Sequence, residues 1–290
     1  MLTKIKSNKF KILKRIYNRD KLILIIKANN KKKVLKIFKK KNKSYIRELN
    51  GYKKFKFKEL SYPRVKKVSL FKNYNTLEME YIEGENIGIM DVVFIFNSIF
   101  FKSAKKISLS RYLNSLYGVF SKEKKLFKLK SFLNILYNKF ETSDLYLTLS
   151  HGDFSGYNII KKNKKYYIID FEKFGKRIIF FDQMNIFFVI FLNRINNLFN
   201  FKNQKFEKYI LSRIFSIFRI FLFFMLRDML KKYNIDYKIF NLYLLLFIFE
   251  KTLTFLKDLK YLNNKIEINK VKKKINIMHF FQNLLINENL

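Results

Sequence analysis

Two acidic residues and an asparagine, at defined spacing, form the most informative chemical pattern in this sequence. Residues 151–158 read HGDFSGYN, with four residues between Asp153 and Asn158, and residues 168–172 read IIDFE, which contains Asp170. A carboxylate such as Asp153 can accept the proton of a hydroxyl group that attacks a phosphoryl group. The side-chain oxygens of Asn158 and Asp170 are ligands that Mg²⁺ prefers. The pattern therefore predicts Mg²⁺-dependent phosphoryl transfer to a hydroxyl.

The same segment has the catalytic-loop spacing H-x-D-x-x-x-x-N of protein kinases. The run LSHGDFSGYNII, followed by YYIIDFE, resembles the aminoglycoside phosphotransferase and choline kinase superfamily. The resemblance implies that Asp153 is the catalytic base, that Asn158 and Asp170 bind Mg²⁺, and that His151 braces the loop. A coincidence among common residue types is the alternative. With only two histidines in the chain, such a match is expected by chance about once in a hundred cases.

Upstream, the resemblance implies residues that hold the phosphates of ATP. Residues 34–38, VLKIF, resemble the strand whose lysine contacts nucleotide phosphates, so Lys36 is the candidate. Glu48 would hold this lysine in an ion pair, and it is the only acidic residue between Lys36 and Glu59. The alternative for Lys36 is a solvated basic face, since the neighbouring positions carry Lys31, Lys32, Lys33, Lys39 and Lys40.

Residues 80–84, EYIEG, resemble the segment that joins the two lobes in this superfamily. Glu80 and Ile82 are therefore implied to bind the adenine edge of ATP through backbone groups. The turn at 17–20 has no glycine, whereas protein kinases place a glycine-rich flap over the phosphates there. This departure argues against a eukaryotic-type protein kinase and leaves a small-molecule kinase open.

The elements that must position these residues can be read from hydrophobic periodicity. Three short apolar runs, separated by turn-forming clusters, predict an antiparallel meander with strands at 10–17, 21–28 and 33–38. Tyr45, Leu49 and Tyr52 recur at helical spacing, and the helix should end before Pro63, the only proline. Two further strands, at 65–70 and 76–81, would complete a small five-stranded lobe with one helix.

The rest of the chain is predicted to be mainly helical after a hinge at Glu83-Gly84. We expect a helix at 129–140 and short strands at 145–149, 158–160 and 166–169. After Gly175 the sequence contains neither glycine nor proline, which predicts an almost wholly helical C-terminal half. The predicted fold class is α+β, a protein-kinase-like two-lobed fold. Residues 1–83 would form the nucleotide-binding lobe, and residues 84–290 the catalytic and acceptor-binding lobe.

Composition limits both the chemistry and the partners. The chain has no cysteine, which excludes thiol, disulfide and zinc-thiolate chemistry, and its 49% hydrophobic residues can form a substantial core. The net charge of +39 is typical of proteins that bind nucleic acid or an anionic membrane surface, but AT-rich codon usage is the favoured explanation for most of this charge. No secretory signal is visible, so we expect a cytoplasmic protein, with peripheral contact at the inner face of the membrane left open.

The leading hypothesis is an ATP- and Mg²⁺-dependent kinase of a small hydroxyl-bearing acceptor. Few acidic residues follow residue 200, which predicts a neutral or anionic acceptor such as a cell-surface glycan sugar or its precursor. The alternatives are a choline or ethanolamine kinase and a basic kinase-fold binding protein without activity. Specific nucleic-acid binding is not expected, because the sequence contains no recognised nucleic-acid module.

Overall fold

The computed structural model describes most of the chain as two compact units. The described residues are 10–18, 21–40, 42–55, 60–87, 91, 95, 104–120, 136, 138, 143–198, 204–259 and 265–287. The first unit consists of residues 1–100 and 149–177, and the second of residues 101–148 and 178–290. The lobe boundary predicted between residues 83 and 84 stays a prediction. Most of the helix predicted at 129–140 lies outside the described residues.

The first unit contains a five-stranded antiparallel sheet, whose strands are β1 Lys11–Asn18, β2 Lys21–Ala28, β3 Lys31–Lys39, β5 Val65–Val68 and β6 Tyr74–Glu80. They lie in the order β1-β2-β3-β6-β5. Asn29 and Asn30, between β2 and β3, both adopt positive φ angles of 48° and 58°, as a tight hairpin turn requires. The predicted five-stranded sheet is confirmed.

The register of this sheet gives its two faces different compositions. Ile23 lies opposite Lys36, and Lys21 lies opposite Phe38, so the two lysines share one face. The other face of β2 and β3 carries a buried apolar cluster formed by Leu22, Leu24, Ile26, Leu35 and Ile37. Both lysines are nevertheless buried. Such buried ammonium groups require anionic partners, because an unpaired buried charge is very unfavourable.

The helix α1 (Lys43–Lys54), in the first unit, carries the partner of one lysine. Asn42 caps it by accepting a hydrogen bond from the Ser44 backbone N–H at 2.7 Å. Its buried face includes Glu48, Gly51 and Tyr52. Gly51 packs directly against Phe171, since a Cβ atom there would lie 2.4 Å from the Phe171 Cβ. The helix is therefore fixed at close range to the segment that contains Asp170.

The loop of residues 151–158 leads into a second, small sheet of the first unit. The strands of this sheet are β4 Leu60–Ser61, β7 Glu85–Asn86, β10 Ile159–Lys162 and β11 Lys165–Ile168. They lie in the order β4-β11-β10-β7. The strands β10 and β11 agree with the sequence prediction. The two-residue strands β4 and β7 were not predicted, because two residues are too few to show an alternating pattern.

The second unit is mainly helical, as predicted. Its strands β8 (Lys105–Ser108) and β9 (Asp144–Ser150) pair antiparallel. The helices whose bounds lie within the described residues are α2 Leu109–Phe120, α3 Phe181–Leu198, α4 Gln204–Met225, α5 Arg227–Lys232, α6 Tyr237–Leu259 and α7 Lys265–Asn287. The prediction of an almost wholly helical C-terminal half is confirmed, with one short strand, β12 (Gly175–Ile178), before the helices begin.

The core of the second unit lies along α6, in which residues 241–249 are all buried. Among the described residues, this is the one helix whose length and composition would allow it to cross a membrane, over Tyr237–Leu256. However, 72% of that window is buried inside the protein, as in the central helix of a globular core. Tyr243 on α6 accepts a hydrogen bond from the Tyr146 backbone N–H at 2.6 Å.

The close approach of α1 to Phe171 gives a first testable prediction. Gly51→Ala should lower the free energy of unfolding by about 1–3 kcal/mol, because the new methyl group overlaps a Cβ atom that is fixed by its own backbone. Helix propensity alone would have the opposite sign, with a gain of about 1 kcal/mol. Urea denaturation measures the change, with Lys53→Ala at an exposed position of α1 as the control. Equal or increased stability of Gly51→Ala would contradict this packing.

Candidate active site

The loop between β9 and β10 is fixed by a buried histidine. His151 is fully buried, its Nε2 lies 2.9 Å from the carbonyl oxygen of Ile169, and the Asp153 backbone N–H donates to its Nδ1 at 3.3 Å. These partners assign the neutral tautomer in which Nε2–H donates and Nδ1 accepts. One imidazole ring therefore connects the backbone beside Asp153 with the backbone beside Asp170.

The backbone of this loop also requires a glycine. Gly152 has a φ angle of +80°, and a Cβ atom there would lie 2.3 Å from the carbonyl oxygen of Lys173. The side-chain amide of Asn158 donates to the Asp153 carbonyl oxygen at 2.8 Å, and the Ile169 N–H donates to the Asn158 carbonyl oxygen at 3.0 Å. These bonds place Asn158 beside both acidic segments.

Asp153 remains accessible at the surface of the first unit. Its side chain is 33% exposed, and its Oδ2 accepts a hydrogen bond from Lys173 Nζ at 2.9 Å. The sequence analysis did not identify Lys173, because one lysine among so many carries no distinguishing signal. The ion pair orients the carboxylate, and the partial exposure leaves room for a hydroxyl group to approach it.

Lys36 and Glu48 form the predicted ion pair, and it is buried. The Lys36 side chain is 6% exposed and that of Glu48 is 0% exposed, with Lys36 Nζ in direct contact with Glu48 Oε1. Burial raises the pKa of the Glu48 carboxyl, and adjacent Lys36 opposes this effect. Burial by itself would lower the pKa of Lys36, but the carboxylates of Glu48 and Asp170 raise it well above its ordinary value.

Asp170 accepts hydrogen bonds from two lysines. Its Oδ1 lies 2.7 Å from Lys36 Nζ and 3.1 Å from Lys21 Nζ. These two ammonium groups outweigh the effect of burial and hold the pKa of Asp170 far below its ordinary value. The backbone of Asp170 is left-handed, with φ of 67°, and its N–H donates to Tyr52 Oη at 3.1 Å. Such a conformation costs roughly 1–3 kcal/mol for a residue other than glycine and is typical of functional sites.

Lys21 and Glu172 complete the cluster, and sequence reasoning missed both. The Lys21 side chain is only 2% exposed and ion-pairs with Glu172 Oε1 as well as with Asp170. The two-residue period of a strand places Lys21 on the same face of β2 as Ile23 and Ile25. Only the β2–β3 register shows that this is also the face of Lys36. The cluster thus contains two buried lysines and the carboxylates of Glu48, Asp170 and Glu172.

These residues also fit a divalent metal ion. Carboxylate oxygens of Glu48, Asp170 and Glu172 lie within 4.8 Å of one another, and Glu48 Oε2 is buried without a hydrogen-bond partner among the described residues. Oxygen ligands of this kind suit Mg²⁺. Asn158 offers an amide oxygen of the same chemical kind, which is not used in the bond between its amide nitrogen and the Asp153 carbonyl oxygen. Metal binding by Asn158 and Asp170 stays a prediction.

The two residues predicted to bind adenine lie at the end of β6. The Glu80 backbone N–H donates to the Arg64 carbonyl oxygen at 2.9 Å, and Ile82 follows in the extended segment with a buried side chain. In the described part of the chain, neither residue hydrogen-bonds to the other predicted site residues. Adenine binding by Glu80 and Ile82 therefore remains a prediction, whereas Lys36, Glu48 and Asp170 are in direct contact.

No protein-family model matches this sequence, and no curated protein sequence matches it significantly. Solved structures do match its fold. Aminoglycoside phosphotransferase APH(4)-Ia matches with a TM-score of 0.59 at 11% identity, over 98% of this chain and 94% of that chain. An ethanolamine kinase of Plasmodium vivax matches with a TM-score of 0.53 at 13% identity, over 95% of this chain and 84% of that chain. The chain therefore has the protein-kinase-like fold predicted from its sequence.

The buried position of Lys21 gives a prediction for stability. Lys21→Met should lower the free energy of unfolding by roughly 2–4 kcal/mol, because its removal leaves half-buried Glu172 without this lysine and leaves Asp170 with Lys36 alone. The exposed Lys27→Met on the same strand is the control. Addition of Glu172→Gln to Lys21→Met should restore part of the loss in a double-mutant cycle. Equal stabilities of the two lysine variants would refute the buried pairing.

Asp170 gives a prediction for pH dependence. Because its pKa is lower in the folded protein than in the unfolded chain, the unfolded state takes up the proton first as pH falls. The stability from this group should therefore be present above about pH 4, the ordinary aspartate pKa, and should be lost below it. Urea denaturation at a series of pH values should show a shallower acid limb for Asp170→Asn than for wild type. Exposed Asp228→Asn should keep the wild-type slope, and a wild-type slope in Asp170→Asn would contradict the assignment.

Proposed function

We propose that this chain is an ATP-dependent phosphotransferase that moves the γ-phosphoryl group to a hydroxyl of a small molecule. One observation carries the proposal. In the first unit, Lys36 forms ion pairs with both Glu48 and Asp170. The loop that contains Asp153 and Asn158 is hydrogen-bonded to the residue before Asp170. This is the set of roles that phosphoryl transfer needs, with a phosphate-binding lysine, metal ligands and a base. The kinase-like fold supports the same activity.

In the proposed reaction, each residue has one task. Asp153 accepts the proton of the acceptor hydroxyl. The hydroxyl oxygen forms a bond to the γ-phosphorus, and the bond between that phosphorus and the β-phosphate oxygen breaks. Lys36, held by Glu48, binds the phosphates. Mg²⁺, when bound by Asn158 and Asp170, neutralises charge on the phosphate oxygens. Lys173 orients the Asp153 carboxylate through its 2.9 Å bond.

For the acceptor, the charge of the chain favours a neutral or anionic molecule. The acidic residues after residue 200 are Glu207, Asp228, Asp236, Glu250, Asp258, Glu267 and Glu288. Two of them are already engaged within the second unit, since Glu250 accepts a hydrogen bond from Tyr112 Oη and Asp236 caps α6 at Ile239 N–H. Few carboxylates therefore remain for a polycationic acceptor, whose approach the net charge of +39 would also oppose. We favour a sugar of a cell-surface glycan or its lipid-linked precursor.

Choline or ethanolamine is the second candidate class of acceptor. The segment IIDFE resembles choline kinases, and the fold matches an ethanolamine kinase across most of both chains. A monocation requires fewer carboxylates than a polycation, so the charge argument weighs less against it.

The third alternative, a kinase-fold binding protein without activity, is disfavoured because Lys36, Glu48, Asp153, Asn158 and Asp170 are all present.

The test is an assay with ATP and Mg²⁺ against a panel of saccharides, choline, ethanolamine and kanamycin-type aminoglycosides, with mass spectrometry to detect added phosphate. Asp153→Asn should reduce turnover about 100-fold or more, because an amide cannot accept the hydroxyl proton. The same variant should keep the thermal shift that ATP and Mg²⁺ produce together. Asp144→Asn, an exposed aspartate paired with Lys106 in the second unit, is the control.

Three outcomes would each contradict one part of the proposal, namely the base, the nucleotide site or the class of acceptor. An Asp153→Asn variant that keeps more than about a tenth of the wild-type rate would remove Asp153 as the base. Absence of any ATP- and Mg²⁺-dependent thermal shift in wild type would remove the nucleotide site. Efficient phosphorylation of an aminoglycoside would leave the kinase activity in place and overturn the argument from charge.

A further inference from the structure

A strip of large apolar side chains lies exposed on the surface of α4. The strip consists of Ile217, Ile220, Phe221 and Phe224, whose exposed fractions are 68%, 47%, 44% and 63%. Spacings of three and four residues place all four on one side of the helix over two turns. Single exposed apolar residues are common, but a continuous group of this kind usually marks an interaction surface. We call this group the α4 strip.

Basic residues flank the α4 strip on both sides in sequence. Arg213 precedes it on α4, one turn before Ile217, and Arg227, Lys231 and Lys232 follow it on α5, all of them exposed. Asp228 is the exposed acidic residue in this stretch of the described chain, from residue 207 to residue 232. The Arg219 guanidinium stacks over the Tyr237 ring at 5.6 Å. The surface therefore combines exposed hydrocarbon with a surplus of positive charge.

Three kinds of occupant can be compared with this chemistry. A second copy of the chain would bring its own net charge of +39 and the same basic residues, so the two copies would repel each other. A duplex nucleic acid would match the charge, but the backbone that it presents is no partner for apolar side chains. The bases of a single strand could stack on the two phenylalanines but offer nothing comparable to the two isoleucines. A bilayer that contains anionic phospholipid offers negative headgroups and hydrocarbon together.

We propose that the α4 strip docks this protein on the surface of an anionic phospholipid bilayer. The helix lies in the plane of the interface, because its opposite side is committed to the core of the second unit through buried Leu211, Phe215, Phe218 and Leu222. The strip enters the boundary between headgroups and acyl chains, and the flanking arginines and lysines extend to the lipid phosphates. Nothing in this proposal depends on phosphoryl transfer.

Vesicle flotation tests the proposal with a matched pair of variants. Wild type should bind vesicles of phosphatidylcholine mixed with phosphatidylglycerol at about 0.15 M ionic strength, where the Debye length is only about 8 Å, and should bind pure phosphatidylcholine much more weakly. Ile217→Ser/Phe224→Ser should weaken binding to the mixed vesicles at least about tenfold, because two apolar side chains no longer leave water. Ile46→Ser/Ile266→Ser, which removes side chains exposed by 58% and 65% on α1 and α7, should bind like wild type.

The absence of tryptophan from the chain provides a direct readout of insertion. In Phe224→Trp, the single indole should shift its emission to shorter wavelength on mixed vesicles and should be quenched by lipids brominated in their acyl chains. Ile266→Trp should show neither change. Circular dichroism confirms that each variant is folded.

Several results would overturn the proposal. Equal vesicle binding by the two serine double variants would mean that charge alone attracts the protein. An unquenched indole signal from vesicle-bound Phe224→Trp would place the strip outside the hydrocarbon. A concentration-dependent dimer that Ile217→Ser/Phe224→Ser abolishes would assign the strip to a second copy, and loss of DNA binding in that variant without loss of vesicle binding would assign it to nucleic acid.

Discussion

The candidate site depends on ion pairs between two buried lysines and three carboxylates, of which Glu48 is buried and Asp170 and Glu172 are half-buried. The carboxylates of Glu48, Asp170 and Glu172 lie within 4.8 Å of one another, a distance at which like charges strongly disfavour joint ionisation. Lys21 and Lys36 make the arrangement possible, and they come from neighbouring strands on the same face of the sheet. A change in the β2–β3 register by one residue would place the two lysines on opposite faces of the sheet, so that one of them would leave the cluster.

Aromatic side chains pack around the residue that follows Asp170 and hold the segments that carry the ion pairs. Phe171, the next residue, is fully buried and contacts the rings of Tyr52, Phe55 and His151 at centroid distances of 4.7, 5.2 and 4.5 Å. These rings connect α1, which carries Glu48, with the loop that carries Asp153. The apolar contacts and the ion pairs therefore hold the same two segments, and displacement of α1 would weaken both.

The positive charge of the chain has two distinct consequences. Inside the first unit, Lys21 and Lys36 are individually paired and buried, so they belong to a defined site. On the surface of the second unit, Arg213, Arg227 and Lys231 are exposed. They contribute together to a positive electrostatic potential, which salt screens. Codon usage can explain the abundance of lysine, but it does not explain the burial of these two lysines or an exposed apolar strip beside a basic surface.

The sequence by itself determined the elements and the identity of most site residues. Alternating apolar runs predicted β1, β2 and β3, the 3.6-residue period predicted α1, and the spacing of His151, Asp153 and Asn158 pointed to the loop, because these signals are local. Only the tertiary structure decided that Lys21, Glu172 and Lys173 lie beside Asp170 and Asp153. Their proximity depends on strand register and on the contact between α1 and Phe171, and such long-range packing leaves no local trace among so many lysines.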